Sequence, residues 1–200
     1  MSDPWRDTPT LVGRHVTLRP LRGDDRDGIL AAFATGLDGA FATMVPGPET
    51  IDRWYDRIES DHAAGRALPF TVLDQSGAVS GVTRFMRMSA PNRRVEIGGT
   101  VYAPRVQRTG LNTEAKLLLL GHAFDTLDCH CVQLRTDWLN RASRRAIERL
   151  GAKQDGVLRG HMVLGDRLRD TVVYSILAPE WPGVRRNLAA MLAAHGEPIR

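Results

Sequence analysis

The stretch Val101-Tyr102-Ala103-Pro104-Arg105-Val106-Gln107-Arg108-Thr109-Gly110-Leu111-Asn112-Thr113-Glu114-Ala115 reads as a strand end, a short polar loop with one glycine, and the first turn of a helix. Such a junction gathers backbone N–H groups that lack helical acceptors. The positive end of the helix dipole lies at the same point, so the site suits an anion such as pyrophosphate. Downstream, Asn140-Arg141-Ala142-Ser143 follows a strand and opens a second helix, where Asn140 and Ser143 have the side chains of helix caps. Glu96, Asp137, His161 and Tyr174 add titratable groups on strand segments.

These groups need a scaffold. Val12 to Leu18 has β character and Arg19-Pro20 closes it. Asp24 and Asp25 open a helix with Ile29, Leu30, Phe33 and Leu37 on one side. After a loop from Gly36 to Pro48, Pro48-Glu49-Thr50 starts a second helix, striped by Ile51, Trp54, Tyr55 and Ile58 and ended by Gly65. Leu68 to Leu73 and Val79 to Met88 flank the hairpin turn Asp74-Gln75-Ser76-Gly77, and Arg94 to Tyr102 continues the meander. A helix from Leu111 to Thr126, a strand from Cys131 to Trp138 and a helix from Asn140 to Leu150, stopped by Gly151, follow. Two strands, Val157 to Leu164 and Thr171 to Leu177, turn at Gly165-Asp166, and a helix covers Pro179 to Ala194.

The strand–helix–strand step calls for a parallel pair inside an otherwise antiparallel sheet. Parallel neighbours joined this way splay at their C-terminal ends, where ligands sit. The expectation is an α+β, three-layer domain over residues 1–200: a mixed, mostly antiparallel seven-stranded sheet with a splayed central parallel pair, flanked by helices. Residues 1–10 form a loose arm, and residues 179–200 a C-terminal helix and tail.

Apolar content of 42% and charged content of 25% suit a globular chain, and no apolar run reaches membrane-spanning length. The polar N-terminus has no apolar signal core, so a cytoplasmic location is expected. Net charge is +4, and lysine occurs only at Lys116 and Lys153, so arginine supplies nearly all the positive charge. Guanidinium forks suit phosphates and carboxylates. Here they are scattered rather than clustered with aromatics, which speaks against nucleic acid and for a solvated surface. Cys129 and Cys131 flank only His130, too close for a structural staple, and no second ligand cluster completes a metal site.

The element order, with Gln107-x-x-Gly110 before the central helix, resembles the GNAT superfamily of acyl-CoA-dependent N-acyltransferases from about Val12 to Leu177. Within it the chain looks most like the RimJ/RimL-like branch. The closer match rests on Thr113-Glu114-Ala115, on Asn140-Arg141-Ala142-Ser143 with Ala146-Ile147-Glu148-Arg149-Leu150-Gly151-Ala152, and on Asp155-Gly156-Val157-Leu158-Arg159. Asn112 departs from the Gly or Ala usual at the end of the family's loop.

The resemblance implies an acetyl-CoA cosubstrate, no metal, and transfer of the acetyl group to a primary amine, either a small molecule or a protein N-terminus. It implies that the backbone of Thr100, Val101 and Tyr102 pairs with the pantetheine arm as an added strand. Backbone groups from Arg108 through Thr109, Gly110, Leu111 and Asn112 to Thr113 hold the pyrophosphate, with side-chain contacts from Gln107 and Arg108. Asn140 bonds the pantetheine arm, and Arg144 or Arg145 reaches the adenosine phosphate. Ser143 serves the leaving thiolate.

The base is left open. Glu96 is the first candidate, with Asp137, His161 and Tyr174 behind it, and a surface ion pair of Glu96 with Arg93 or Arg94 is the competing reading. Strand alternation puts Glu96, Gly98 and Thr100 on one face. Two other functions stay open: transfer of a larger acyl group such as succinyl, held by Arg84, Arg87 or Arg159, and a non-catalytic CoA-binding module, favoured by Asn112. Phe41, Met44 and Val45 of the Gly36–Pro48 loop and the Arg159–Arg169 hairpin would shape the acceptor cleft. No nucleic-acid or membrane partner is expected, and a homodimer through the C-terminal helix or sheet edges is an option.

Overall fold

The computed structural model describes residues 3–35, 37 and 45–194. Eight strands form one sheet: β1 (Leu11–Val12), β2 (Val16–Pro20), β3 (Ala67–Asp74), β4 (Val79–Ser89), β5 (Arg94–Tyr102), β6 (Cys131–Asp137), β7 (Lys153–Leu164) and β8 (Arg167–Leu177). Their order is β1-β2-β3-β4-β5-β6-β8-β7, antiparallel everywhere except between β5 and β6. The helices are α1 (Arg26–Phe33), α2 (Ile51–Ala63), α3 (Leu111–Gly121, prolonged by a π turn to Thr126), α4 (Arg141–Leu150) and α5 (Trp181–Ala193). None of the described helices is long and apolar enough to cross a membrane.

The eighth strand corrects the expected seven. Val12 to Leu18 is not one strand but a hairpin, with Leu11 opposite Leu18 and Val12 opposite Thr17. Gly13 donates to the Val16 carbonyl at 2.8 Å, and the Glu114 carboxylate accepts from the backbone N–H groups of Arg14, His15 and Val16. A buried acid on α3 therefore builds the turn that the apolar pattern conceals. Asp25 departs from expectation in a similar way. Its side chain makes no cap bond to α1; it is buried against Arg19, the Thr71 hydroxyl and the Arg22 N–H.

Two cores give the three layers. One, with Phe70, Phe85, Ile97, Leu119, Val132 and Tyr174 among its members, lies between the sheet and α3, α4 and α5. The other packs Ile29, Phe33, Trp54, Tyr55 and Ile58 of α1 and α2 on Val82 and Val101 of the opposite sheet face. Phe41 and Met44, expected to shape the acceptor cleft, fall outside the described residues, whereas Val45 is half-buried against the second core.

Candidate active site

Only Arg94, Val95 and Glu96 of β5 pair with β6, opposite Cys131, Val132 and Gln133. Beyond them β5 stays bonded to β4 as far as Gly81 opposite Tyr102, and β6 to β8 as far as Asp137 opposite Thr171. Each strand thus turns an unpaired edge towards the gap, a surface that accepts an extended ligand as it would a strand.

A bulge sharpens the splay. The β4–β5 register passes from Arg84 opposite Gly98 to Val82 opposite Val101, so Gly99 and Thr100 together face Thr83. Gly99 has φ +57°, the left-handed region that glycine enters without a Cβ penalty, and an added Cβ would lie 2.7 Å from Arg84 Nε. On β4, a Cβ on Gly81 would come within 2.4 Å of the Val101 carbonyl oxygen.

The bulge overturns the expected alternation. Glu96 and Gly98 share a face, where a Cβ on Gly98 would sit 3.2 Å from Glu96 Oε1. Thr100 lies on the other face, bonded to Thr83 Oγ1 at 2.8 Å and to Lys116 Nζ of α3 at 3.2 Å.

The loop from β5 to α3 begins with a 3-10 turn at Pro104–Val106. Gln107 folds back, donating to the Tyr102 carbonyl at 3.1 Å, and Arg108 sits at φ +62°. Thr109 braces the corner, its hydroxyl donating to the Val106 carbonyl at 2.7 Å and accepting from the Leu111 N–H at 3.3 Å. Asn112 and Thr113 lie in the first turn of α3, where a helix supplies no acceptor for their N–H groups.

At the end of β6, Asn140 caps α4, its Oδ1 accepting from the Ser143 N–H at 3.0 Å. Two helix N-termini therefore follow directly on the C-terminal ends of the splayed pair. Ser143 is half-buried in the first turn of α4. Of the neighbouring arginines, Arg144 is committed to packing over the Trp138 ring and donating to the Tyr174 hydroxyl, whereas Arg145 is exposed.

Glu96 is 5% exposed and pairs neither with Arg93 nor with Arg94. Arg93 goes instead to Asp128. The Nε atoms of Arg87 and Arg135 stand 3.0 and 3.2 Å from Glu96 Oε2. Burial raises the carboxyl above its usual range, against the pull of Arg87, Arg135, Arg169 and Arg84. Arg87 reaches this position from a second irregularity of β4, at φ +50°.

The other base candidates are occupied. Asp137 accepts from the Leu139 N–H and pairs with Arg167 at 2.6 Å. His161 Nδ1 is 3.0 Å from Thr171 Oγ1, and its pKa is lowered by burial and by Arg135, Arg87 and Arg169. The Tyr174 hydroxyl donates to Glu148, and burial raises its pKa. Arg159 is engaged in an exposed pair with Asp170.

Sequence reasoning missed three features. Arg84, Arg135 and Arg169 are not scattered surface charges but all act on Glu96 across the sheet, with Arg169 buried. Their positions on β4, β6 and β8 show this only once strand order is known. Lys116, 7% exposed, has its pKa lowered by burial to about 8. The Tyr102 hydroxyl is sealed from solvent without a hydrogen-bond partner among the described residues, and burial raises its pKa. Among the described residues no group of His, Cys, Asp and Glu is placed to hold a metal. Cys129 is buried, its thiol pushed up to about 12 by burial.

A mixed sheet split at one parallel pair, with a helix N-terminus beside each splayed strand, defines an acyl-coenzyme-binding transferase scaffold. The GNAT acetyltransferase domain matches residues 15–153, and the chain belongs to that family of acyl-CoA-dependent N-acyltransferases. Over 178 residues it is 25% identical to a Bacillus subtilis (strain 168) protein named "Putative ribosomal N-acetyltransferase YdaF", covering 86% of this chain and 96% of the relative. A GCN5-related N-acetyltransferase from Brucella melitensis superposes with a TM-score of 0.85 at 30% identity, over 93% of this chain and 86% of that one. Mycobacterium smegmatis RimJ, in complex with CoA-disulfide, shares the fold at a TM-score of 0.79 and 22% identity, with 100% of each chain covered. These likenesses agree with the RimJ/RimL-like branch.

Proposed function

We propose that the protein transfers an acetyl group from acetyl-CoA to a primary amine by direct attack on the thioester. The observation that carries this reading is the unpaired edge of β5, which runs straight into the loop and the N-terminus of α3. The Thr100–Tyr102 backbone pairs with the pantetheine arm. Backbone groups from Arg108 to Thr113, with the Gln107 and Arg108 side chains, hold the pyrophosphate. The donor Asn140 Nδ2 faces the same arm, and Arg145 takes the adenosine phosphate. The complex of Mycobacterium smegmatis RimJ with CoA-disulfide supports a coenzyme in this cleft.

In the transfer, a backbone N–H near Val101 polarises the carbonyl, and Ser143 hydrogen-bonds the leaving thiolate. Glu96 accepts the amine proton at Oε1, since both arginine contacts run to Oε2. Isothermal titration with acetyl-CoA and succinyl-CoA tests the reading. Wild type should bind, and Gly110→Trp, whose side chain would meet His15 from a Cβ already 3.4 Å away, should not. Absence of binding by wild type would overturn it.

A further inference from the structure

Around Glu96 and Asp137 stand the guanidiniums of Arg84, Arg87, Arg135, Arg167 and Arg169. Arg87 and Arg135 approach the same oxygen, Glu96 Oε2, through Nε, and neither contact is aligned as a hydrogen bond. Neither fork is hydrogen-bonded to Glu96 Oε2. One nitrogen of the Arg135 fork reaches Gln133 Oε1 at a long 3.3 Å. The Arg87 fork has no partner among the described residues. Arg84 lies half-buried with Nε sealed from solvent and without a hydrogen-bond partner among the described residues, and the charges of Asp61, Arg57 and Glu96 reach it across space. His161, on the β7–β8 hairpin, feels the charges of Arg135, Arg87 and Arg169. Like charges gathered at the edge of a low-dielectric cleft repel, and a planar anion that fits the forks relieves that repulsion.

We propose that Arg84, Arg87 and Arg135 bind a carboxylate carried by a substrate of the transfer, beside Glu96. This rests on the acyltransferase reading of the splay. The carboxylate has two sources. On the acceptor, it makes the preferred substrate an amino acid or acidic peptide, with its amine at Glu96 and its acid at the arginines. On the donor, it makes the acyl group dicarboxylic.

The test is isothermal titration of the full chain, with and without CoA, using glutarate and its uncharged match glutaramide. Glutarate should bind tighter by about tenfold or more, the worth of one charge-assisted hydrogen bond. The difference should vanish in Arg84→Met/Arg87→Met, with melting checked alongside. Equal affinity, or no binding of either, in wild type overturns the proposal without any variant having to fold. CoA is titrated on its own, so failure of the coenzyme site is seen separately from failure of the anion site.

Turnover assigns the source. A preference for β-alanine over β-alaninamide with acetyl-CoA places the carboxylate on the acceptor. A preference for succinyl-CoA over acetyl-CoA with β-alaninamide places it on the donor. Flat ratios in both pairs overturn the proposal.

Discussion

Asn140→Asp and Asn140→Ala separate two tasks of one side chain. Oδ1 caps α4 through the Ser143 N–H, at 3.0 Å, and Nδ2 is the donor assigned above to the coenzyme. Alanine removes the cap, at about 1 kcal/mol. In a chain of this length that lowers Tm by about 2–4 °C. Aspartate keeps an oxygen in the cap and adds charge at a helix N-terminus, worth about 0.3–1 kcal/mol, so its Tm should hold or rise.

Coenzyme affinity should follow a different order. Alanine loses one neutral hydrogen bond, about 0.5–1.5 kcal/mol, or roughly 2- to 12-fold in Kd. Aspartate turns an acceptor towards an acceptor, leaving a group unsatisfied at about 1–3 kcal/mol, or roughly 5- to 150-fold. Scanning calorimetry and titration with CoA on the three proteins suffice. Alanine should be the least stable and aspartate the weakest binder. If aspartate binds CoA within about twofold of wild type, Nδ2 makes no coenzyme contact and Asn140 is only a cap.

Glu114→Gln leaves three backbone N–H groups with one neutral acceptor, and the urea midpoint should fall by the equivalent of about 2–3 kcal/mol; an unchanged midpoint would deny Glu114 its part in building the β1–β2 turn. Gly99→Ala meets the left-handed penalty of about 1–2 kcal/mol and pushes on Arg84, so stability and CoA affinity should drop together. Lys116 has its folded pKa lowered to about 8, below the ordinary 10.5. The unfolded chain therefore binds more protons between those values, and stability should rise as pH climbs through the window, by about 3 kcal/mol. Lys116→Met should flatten that rise and stabilise the protein at neutral pH.

Much of the scaffold is legible in local signals. The Asp74–Gly77 turn, Gly151 closing α4, and the apolar spacing of α2 each follow from neighbours in sequence, and each stands where expected. The parallel pair is legible too, because a strand–helix–strand step leaves few other arrangements. What stays hidden depends on partners far apart in the chain. The Gly13 turn is stabilised by an acid about a hundred residues away. Arg84, Arg135 and Arg169 look dispersed until the order β4-β5-β6-β8 lays their strands side by side. Nothing in the sequence neighbours of Lys116 says that its amine is buried against the Thr100 hydroxyl.

The bulge at Gly99 joins these levels. Without the extra residue, Val101 would share a face with Val95 and Ile97. With it, Val101 enters the α1–α2 core while Val95 and Ile97 stay in the other. The same inversion sends the Thr100 hydroxyl to Lys116 and keeps Glu96 on the face where the arginines gather. One glycine therefore divides β5 into a segment that holds Glu96, the proposed base, and a segment whose backbone edge is the proposed seat of the coenzyme. A side chain at position 99 disturbs both through a single change of φ. Removal of the Arg84 charge should instead disturb acid selectivity and leave the backbone edge of Thr100–Tyr102 in place. Comparing Gly99→Ala with Arg84→Met for CoA affinity thus tells whether the bulge acts on the coenzyme through the strand or through the arginine it touches.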